Sequence, residues 1–158
     1  MKIAVLADTH IPKRAKRLPT TALKILQAAD VIIHAGDIVS EEFLQSLQDL
    51  APCYAVLGNN DLTLSLPERL EVTLGGVSIA ILHDSGPSHG RGRRMRKEFP
   101  HADILVFGHS HIPMNVVEDG LLLFNPGSAT DRRQQPNFTM GMLTVDEGEA
   151  SSEIIVLD

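Results

Sequence analysis

The chain has 158 residues, of which 43% are hydrophobic and 22% charged, and its formal net charge is −6. This length predicts one domain, residues 1–158, and the composition is typical of a soluble globular protein rather than a disordered one. The single cysteine, Cys53, excludes an internal disulfide and fits a reducing, cytoplasmic location. No apolar run approaches the ~20 residues of a membrane span, so we expect no membrane association.

The first half of the chain alternates short apolar runs with helical patterns. Strands are predicted at Lys2–Ala7, Val31–Ala35 and Tyr54–Leu57, because each is a nearly continuous apolar run. Helices are predicted from about Ala22 to Ala29 and from Ser40-Glu41-Glu42 onward, each with apolar residues at helical spacing. Such an alternation of strands and helices favours a parallel sheet.

The second half of the chain is rich in strands, and its dipeptides Gly75-Gly76 and Asp119-Gly120 predict two hairpin turns. The predicted elements, in chain order, are strands Leu70–Leu74 and Val77–Leu82, helix Arg93–Phe99, and strands Ile104–Phe107, Val116-Val117, Leu121–Phe124, Phe138–Val145 and Ile154–Leu157. Combined with the first half, this pattern predicts an α/β protein in which two packed sheets carry helices on the outside.

Five of the predicted strands lead directly into Asp, Asn or His. The residues that follow them are Asp8 and His10, Asp37, Asn59-Asn60-Asp61, His83, and His109 and His111. Ligands collect at the carboxyl ends of strands in α/β sheets, so we expect these side chains to converge on one site. The pairs Asp8/His10 and His109/His111 are two residues apart, and on an extended backbone both members of such a pair point to the same side.

The residue types at these strand ends are those of a metal site. Carboxylate, imidazole and amide oxygen together suit Mn²⁺, Fe²⁺, Zn²⁺ or Ni²⁺ better than Ca²⁺. Seven candidate ligands exceed the needs of one tetrahedral ion, and two ions about 3.5–4 Å apart can clamp a phosphate and activate a water. Asp37 could serve both ions, and Gly36, Gly58 and Gly108 would let the backbone turn sharply beside them. Each motif alone is also explained by turns and packed histidines, but the five together favour a metal centre.

This ordered set of motifs resembles the calcineurin-like metallophosphoesterase superfamily, and the small size and the sequence FNPGS at Phe124–Ser128 are similar to its YfcE-type bacterial and archaeal branch. The motifs are Asp8-x-His10, Gly36-Asp37, Gly58-Asn59-x-Asp61, His83 and Gly108-His109-x-His111. The resemblance implies a four-layer αββα sandwich, in which two mixed sheets are flanked by helices and a binuclear metal centre lies at one edge.

The resemblance also implies ligands and a mechanism. One metal would be held by Asp8, His10, Asp37 and His111, and the other by Asp37, Asn59, His83 and His109. A hydroxide bridging two divalent ions would attack the phosphorus. Mn²⁺ is the first expectation for these ions, with Ni²⁺, Fe²⁺, Zn²⁺ or Mg²⁺ as alternatives.

Two further residues are expected to act in catalysis, and two positions depart from the family pattern. Asp61 matches a carboxylate that orients groups at the site. Asn60 stands where many relatives have His or Cys; an amide cannot act as a general acid but can hydrogen-bond a phosphate oxygen.

His83-Asp84-Ser85 stands where relatives often have His-Gly-His, with His89 as a less favoured substitute ligand. His34, in the sequence HAGD, is also a candidate neighbour of the metals.

The basic residues are concentrated, since 11 of the 14 Lys and Arg fall in Lys13–Arg17, Arg91–Lys97 and Arg132-Arg133. All three stretches follow predicted site loops, so we expect a positive collar that steers an anion inward. Arg132 and Arg133 are candidates to bind a substrate phosphate.

The residues and the resemblance together predict a metal-dependent phosphoesterase, with a phosphodiesterase favoured and a small phosphate ester or nucleotide as substrate. A small metal-dependent nuclease acting on nucleic acid is one alternative. Another is a non-catalytic protein–protein interaction scaffold, because a retromer subunit resembles this fold. All seven ligand positions hold competent residues, which favours the enzyme. A homo-oligomer stays open, since relatives of this branch commonly look like dimers or tetramers.

Overall fold

The structure, a computed structural model, describes residues 1–157 as two five-stranded sheets that pack face to face between outer helices. The elements in chain order are β1 Lys2–Leu6, α1 Thr20–Ala28, β2 Val31–His34, α2 Glu41–Gln48, β3 Cys53–Ala55, β4 Arg69–Leu74, β5 Val77–Leu82, α3 Arg91–Glu98, β6 Ile104–Val106, β7 Met114–Glu118, β8 Leu121–Asn125, β9 Phe138–Asp146 and β10 Glu149–Leu157.

The first sheet has the order β10-β9-β1-β2-β3, with β1, β2 and β3 parallel and β9 and β10 antiparallel to their neighbours. Leu6 lies beside His34, and His34 lies beside Ala55. The three parallel strands therefore end level with one another, and the loops that follow them leave the sheet side by side.

The second sheet has the order β4-β5-β6-β8-β7, and its three central strands are parallel. Ile81 pairs with Val106, and Val106 pairs with Phe124. The segments after β5, β6 and β8 consequently leave this sheet at one edge, as the sequence predicts for His83 and His109.

Three apolar layers hold the sandwich together. Alternate residues of both sheets, among them Val5 and Ile81, meet between the sheets. Helices α1 and α2 cover the outer face of the first sheet through Leu26 and Leu47. Helix α3 covers the second sheet through Met95 and neighbouring apolar residues. This arrangement is the predicted αββα order of layers. None of the helices in residues 1–157 is both long and apolar enough to cross a membrane.

The last strand is the largest departure from the predicted elements. β10 begins at Glu149, five residues before the predicted Ile154, and pairs with β9 along its whole length. The added residues, Glu149–Glu153, are mostly polar and exposed. An edge strand gains its order from the backbone ladder and can carry polar side chains towards solvent, so apolar periodicity underestimates its length.

Candidate metal centre

The predicted ligands lie on an unusual backbone. Asp8, His10, Asp37, His109 and His111 all have positive φ angles, between 46° and 73°. The expectation that the two pairs lie on extended backbone is therefore wrong, because β1 and β6 have already ended and the chain turns at each ligand. Asp and His tolerate the left-handed region better than most residues. The conformation still costs on the order of 1 kcal/mol per residue, so the surrounding contacts must hold it in place.

The three glycines beside the ligands have two different functions. Gly36 has a φ of +100° and makes a turn that other residues rarely adopt. Gly58 and Gly108 do not have positive φ. A side chain at Gly58 would overlap the Asp37 carboxylate, and one at Gly108 would lie 2.9 Å from Asp8 Oδ2. These two glycines are needed for close approach rather than for the predicted sharp turn.

One group of ligands comprises Asp8, His10 and His111, all buried, with potential ligand atoms within 4.8 Å of one another. His111 Nδ1 donates to the backbone carbonyl of Asp131, which fixes the ring and turns Nε2 towards the carboxylate. The distance from His111 Nε2 to Asp8 Oδ1 is 3.6 Å. The structure thus directs two imidazole nitrogens and a carboxylate oxygen at one point.

A second group comprises Asp8, Asp37 and His83. His83 Nδ1 lies 2.8 Å from the carbonyl of Ala35 and donates to it, so Nε2 faces the site. His83 Nε2 lies 3.4 Å from Asp37 Oδ2, and the same oxygen lies 3.4 Å from His10 Nε2. One oxygen of Asp37 is thus equally distant from a histidine of each group, which is the position of a shared ligand.

Asn59 and His109 extend the second group outward. Asn59 Oδ1 lies 3.0 Å from His83 Nε2, and His109 Nδ1 lies 3.4 Å from the same atom. The other ring nitrogen of His109 lies 3.9 Å from Asp84 Oδ2, and the His109 side chain is 47% exposed. All seven predicted ligands therefore lie at one edge of the sandwich.

The centre contains polar atoms that the protein leaves without a partner. Among residues 1–157, Asp8 Oδ1, His10 Nε2 and His111 Nε2 are buried and accept or donate no hydrogen bond. A buried polar atom without a partner costs about 1–3 kcal/mol, so three that face one another require an explanation. A divalent cation provides one, because carboxylate oxygen and imidazole nitrogen are ligands of Mn²⁺, Fe²⁺, Zn²⁺ and Ni²⁺. The residues present fit the predicted metal.

Burial sets the ionisation of the first group. It raises the pKa of Asp8 to about 7, with the Asp37 carboxylate acting in the same direction and His83 against it. Burial also lowers the pKa values of His10 and His111. Both rings are therefore biased towards the neutral form, which is the form that binds a cation.

The second group is biased towards charge. Burial alone would raise the pKa of Asp37, but hydrogen bonds from His83 and Asn60 outweigh it and hold that pKa well below its usual range. Burial would lower the pKa of His83, but Asp37 and Asp8 outweigh it and raise that pKa. Asp37 and His83 thus favour each other's charged forms, so this group can offset part of its own charge.

Asp61 and Asn60 contact Asp37 from two directions. Asp61 Oδ2 accepts from the backbone N–H groups of Asp37 at 2.9 Å and Gly58 at 2.8 Å, and Oδ1 accepts from that of Val39 at 2.7 Å. Asn60 donates its backbone N–H to Asp37 Oδ1 at 2.8 Å and its amide to Asp37 Oδ2 at 2.9 Å. The Asn60 amide, expected to face a phosphate, is thus directed at a ligand.

His34 supports the site without being able to bind a metal. It is fully buried, and its Nδ1 accepts from the N–H of Gly36 at 3.1 Å. Its Nε2 then donates to Thr9 Oγ1, 2.9 Å away. Burial lowers the pKa of His34 to about 3, so the ring stays neutral. Both nitrogens are used to hold the two ligand loops together. His89, the less favoured substitute ligand, is exposed in the loop before α3.

Sequence reasoning missed several residues that position the ligands. Ser128 Oγ donates to the carbonyl of Asp8, and Thr130 Oγ1 donates to the carbonyl of Thr9. Hydroxyl residues that follow β8 at the same sheet edge were a usable signal for both. The carbonyl of Asp131, which orients His111, had no signal, because every residue carries a carbonyl.

Three of the five basic residues in Arg91–Lys97 bind backbone carbonyls rather than face an anion, contrary to the predicted positive collar. Arg91 donates to the carbonyl of Gly86 and lies over the ring of Phe107. Arg94 donates to the carbonyls of Ser85 and Pro87, and Arg96 to those of Phe99, Pro100, Ala102 and Asp119. These arginines satisfy loop carbonyls around α3 and are part of the fold.

The two arginines of the stretch Arg132-Arg133 contribute unequally. Arg133 is exposed, and its charge lowers the pKa values of Asp8, His10 and His111. Arg132 instead donates to the carbonyl of Gln135 at 2.7 Å and lies over the ring of Phe138. The charge of Arg133 therefore acts on the metal centre, while the guanidinium of Arg132 is engaged by Gln135 and Phe138.

Known proteins share both the sequence pattern and the fold. Residues 1–148 match the family model of the calcineurin-like phosphoesterase superfamily domain. A probable metallophosphoesterase of Methanocaldococcus jannaschii is 36% identical over 95% of this chain and 79% of its own. Wild-type Vps29 of Entamoeba histolytica, complexed with zinc, has a TM-score of 0.81 at 22% identity and 99% coverage of both chains. A novel archaeal phosphodiesterase has a TM-score of 0.73 at 23% identity, with 98% of this chain and 100% of that one covered. The chain belongs to the calcineurin-like phosphoesterase superfamily.

Proposed function

We propose that this protein is a phosphodiesterase that works with two divalent metal ions. Family membership and the buried ligands support a metal-dependent phosphoesterase. The observation that carries the finer proposal is Asp37 Oδ2, which lies 3.4 Å from His10 Nε2 and 3.4 Å from His83 Nε2. A carboxylate oxygen equally near two groups of ligands is the arrangement expected for two ions rather than one.

Each ion has its own set of residues in this proposal. His10 and His111 would hold one ion, and His83, Asn59 and His109 the other, with Asp8 and Asp37 lying between them. When bound, two such ions acidify a water molecule and offset the negative charge on the phosphoryl oxygens. Mn²⁺ is the ion we expect, because this mixture of oxygen and nitrogen ligands suits it.

The protein itself supplies orientation and charge. The carbonyls of Ala35 and Asp131 fix the rings of His83 and His111. Arg133 adds a positive charge beside the centre, where it can bind a phosphoryl oxygen. A monoester carries more charge than a diester, and one nearby arginine is better matched to the diester.

The cleft beside the second group also supports a diester. It has a volume of about 360 Å³ and is lined in part by Asn59, His83, Asp84 and His109. An ester group on phosphorus can occupy this cleft while the phosphoryl group contacts the metal centre. The structural likeness to an archaeal phosphodiesterase is in keeping with this choice, although at 23% identity it speaks for the fold.

Hydrolysis of bis(p-nitrophenyl) phosphate beside p-nitrophenyl phosphate tests the proposal. The protein is stripped of metal and then given Mn²⁺, Ni²⁺, Zn²⁺ or Mg²⁺ in turn. We expect metal-restored cleavage with a higher kcat/KM for the diester, a fall of about 10²-fold in His109→Ala, and full activity in His89→Ala, which removes an exposed histidine outside the site. Two ions bound per chain with no activity for any metal would contradict the enzyme and favour a binding scaffold.

A further inference from the structure

A groove of about 560 Å³ opens between α1, the start of α2 and the loop that joins β1 to α1. Its lining includes four apolar side chains, Ile11, Leu18, Leu23 and Phe43. The volume lies within the range of small-molecule sites, which typically measure about 300–1,000 Å³ and are mostly apolar. None of the seven proposed metal ligands lines it, so the metal centre does not account for this groove.

The groove is continuous with the metal centre through the chain. Ile11 follows His10 directly, and it forms an isolated parallel bridge with Val39, two residues after Asp37. Phe43 in the floor of the groove packs edge-on against His34, with ring centroids 6.4 Å apart. The two loops that carry the first ligands therefore become walls of the groove once they leave the metal centre.

The rim of the groove is charged. The lining of the groove includes the charged residues Lys16, Arg17 and Glu42 and the hydroxyl residues Thr20 and Ser40. Two positive charges against one negative leave this rim basic on a chain whose net charge is −6. An apolar floor with a basic rim is complementary to a flat or apolar group that carries an anion of its own.

The cleft of about 360 Å³ contains ligands of the second group, Asn59, His83 and His109, and the groove contains Ile11, the chain neighbour of a ligand of the first group. A phosphodiester has two substituents on phosphorus and so needs two such spaces. We infer that the groove is the subsite for the ester group that remains on phosphorus, an inference that rests on the proposed function. This ester group is flat or apolar and bears a further negative charge.

Two substrates with the same leaving group test the apolar part of this inference. Bis(p-nitrophenyl) phosphate and methyl p-nitrophenyl phosphate both release p-nitrophenolate, but only the first has an aromatic group for the groove. Leu23→Trp fills the groove from α1 at a residue that is 40% exposed. We expect it to raise KM for the aromatic diester roughly tenfold and to leave KM for the methyl diester unchanged.

Val117→Trp is the matched control, because Val117 is an exposed apolar residue on β7 that does not line the groove. It should change neither KM. Equal changes for both substrates in Leu23→Trp would overturn the inference, as would no change for either one.

The charge on the rim is tested within one loop. Thymidine 5′-(p-nitrophenyl phosphate) is compared with the same compound carrying a 3′-phosphate. The double variant Lys16→Ala/Arg17→Ala should raise KM for the 3′-phosphorylated compound about tenfold and for the other less than twofold. Lys13→Ala removes a charge of the same loop outside the groove lining and should change neither. An equal change of KM for the two compounds in the double variant would overturn the inference that the bound ester group carries a further negative charge.

Binding to metal-free protein separates this inference from the proposed function. Thymidine 3′,5′-bisphosphate is titrated into EDTA-treated protein and followed by two-dimensional NMR of the backbone amides. We expect saturable shifts at Leu18, Leu23 and Phe43 that Leu23→Trp abolishes, whether or not the protein hydrolyses any ester. Shifts confined to the metal centre, or none at all, would overturn the groove while leaving the phosphodiesterase untouched.

Discussion

The two groups of ligands differ in how far the protein satisfies them. Asp8, His10 and His111 are all buried, and three of their atoms have no hydrogen-bond partner within residues 1–157. Asn59 Oδ1 and His109 Nδ1 lie 3.0 and 3.4 Å from His83 Nε2, and the His109 side chain is 47% exposed. The first group is organised for an ion that alone completes it, whereas the second can close on itself. We therefore expect a tightly held ion at the first group and an exchangeable one at the second.

Removing one histidine from each group tests most strongly whether the two groups differ. His111→Ala should lower kcat/KM by about 10³-fold or more, since a metal ion supplies several kcal/mol of charge stabilisation and each 1.4 kcal/mol is tenfold. His109→Ala should lower it by about 10²-fold, because part of its group stays in place.

Calorimetric titration with Mn²⁺ then counts the ions that each variant binds. His111→Ala should lose the tighter of two binding events, and His109→Ala should keep it. If His109→Ala loses the tighter event, the two groups do not differ as their burial indicates.

Replacing Asp61 tests whether both groups depend on Asp37, because Asp61 accepts the backbone N–H of Asp37. Asp61→Ala leaves the N–H groups of Asp37, Val39 and Gly58 without their acceptor. At about 1 kcal/mol each, the free energy of unfolding of the metal-free protein should fall by on the order of 3 kcal/mol. Urea denaturation measures this change, and both Mn²⁺ binding events should weaken together.

Asp49→Ala provides the control for that experiment, since within residues 1–157 the Asp49 side chain accepts a hydrogen bond from the exposed Gln45 side chain alone. The free energy of unfolding of this variant should differ from that of the wild type by less than about 0.5 kcal/mol. Weakening of a single binding event in Asp61→Ala would mean that Asp37 belongs to one group alone.

The ionisation of Asp8 makes the stability of the metal-free protein depend on pH. Its pKa is raised from 3.8 to about 7 by burial, so the native carboxyl keeps its proton where the unfolded one has lost it. Its contribution to stability is therefore complete below pH 4, is lost as pH rises towards 7, and is constant above. Metal-free Asp8→Asn should gain stability relative to the wild type across this window, by on the order of 1 kcal/mol per pH unit. Thermal denaturation of both proteins from pH 5 to pH 8 measures this, and a constant difference would contradict it.

Replacement of Asn60 should have the smallest effect on activity among these variants. Neither its amide nor its backbone N–H can serve as a general acid, and both contact Asp37. An alkyl phosphodiester should therefore react more slowly than an aryl one, and Asn60→His should narrow that ratio several-fold by supplying a proton donor. Comparing kcat for the two substrates in both proteins checks this, and equal rates in the wild type would show that the leaving group needs no acid.

Most of the fold and the membership of the site were predictable from the sequence. Apolar runs located the buried strands, and the level ends of β1, β2 and β3 brought their polar followers together as expected. What escaped prediction was local conformation. The turns at the ligands depend on tertiary hydrogen bonds from Ser128 to the Asp8 carbonyl and from His34 to Thr9, and apolar periodicity carries no information about them. The arginines of α3 escaped because a charged residue looks the same in sequence whether it faces solvent or a loop carbonyl.

The left-handed backbone at Asp8, His10, Asp37, His109 and His111 has an evolutionary consequence. Few residue types can replace these ligands without breaking the turns, and glycine and asparagine are foremost among them because they tolerate this conformation. Exchange of Asp8 or Asp37 for asparagine puts a weaker, uncharged ligand in place of the carboxylate but keeps the path of the chain. Such a fold can lose its chemistry one residue at a time and still keep its surface, which makes the route from an enzyme to a binding protein a short one.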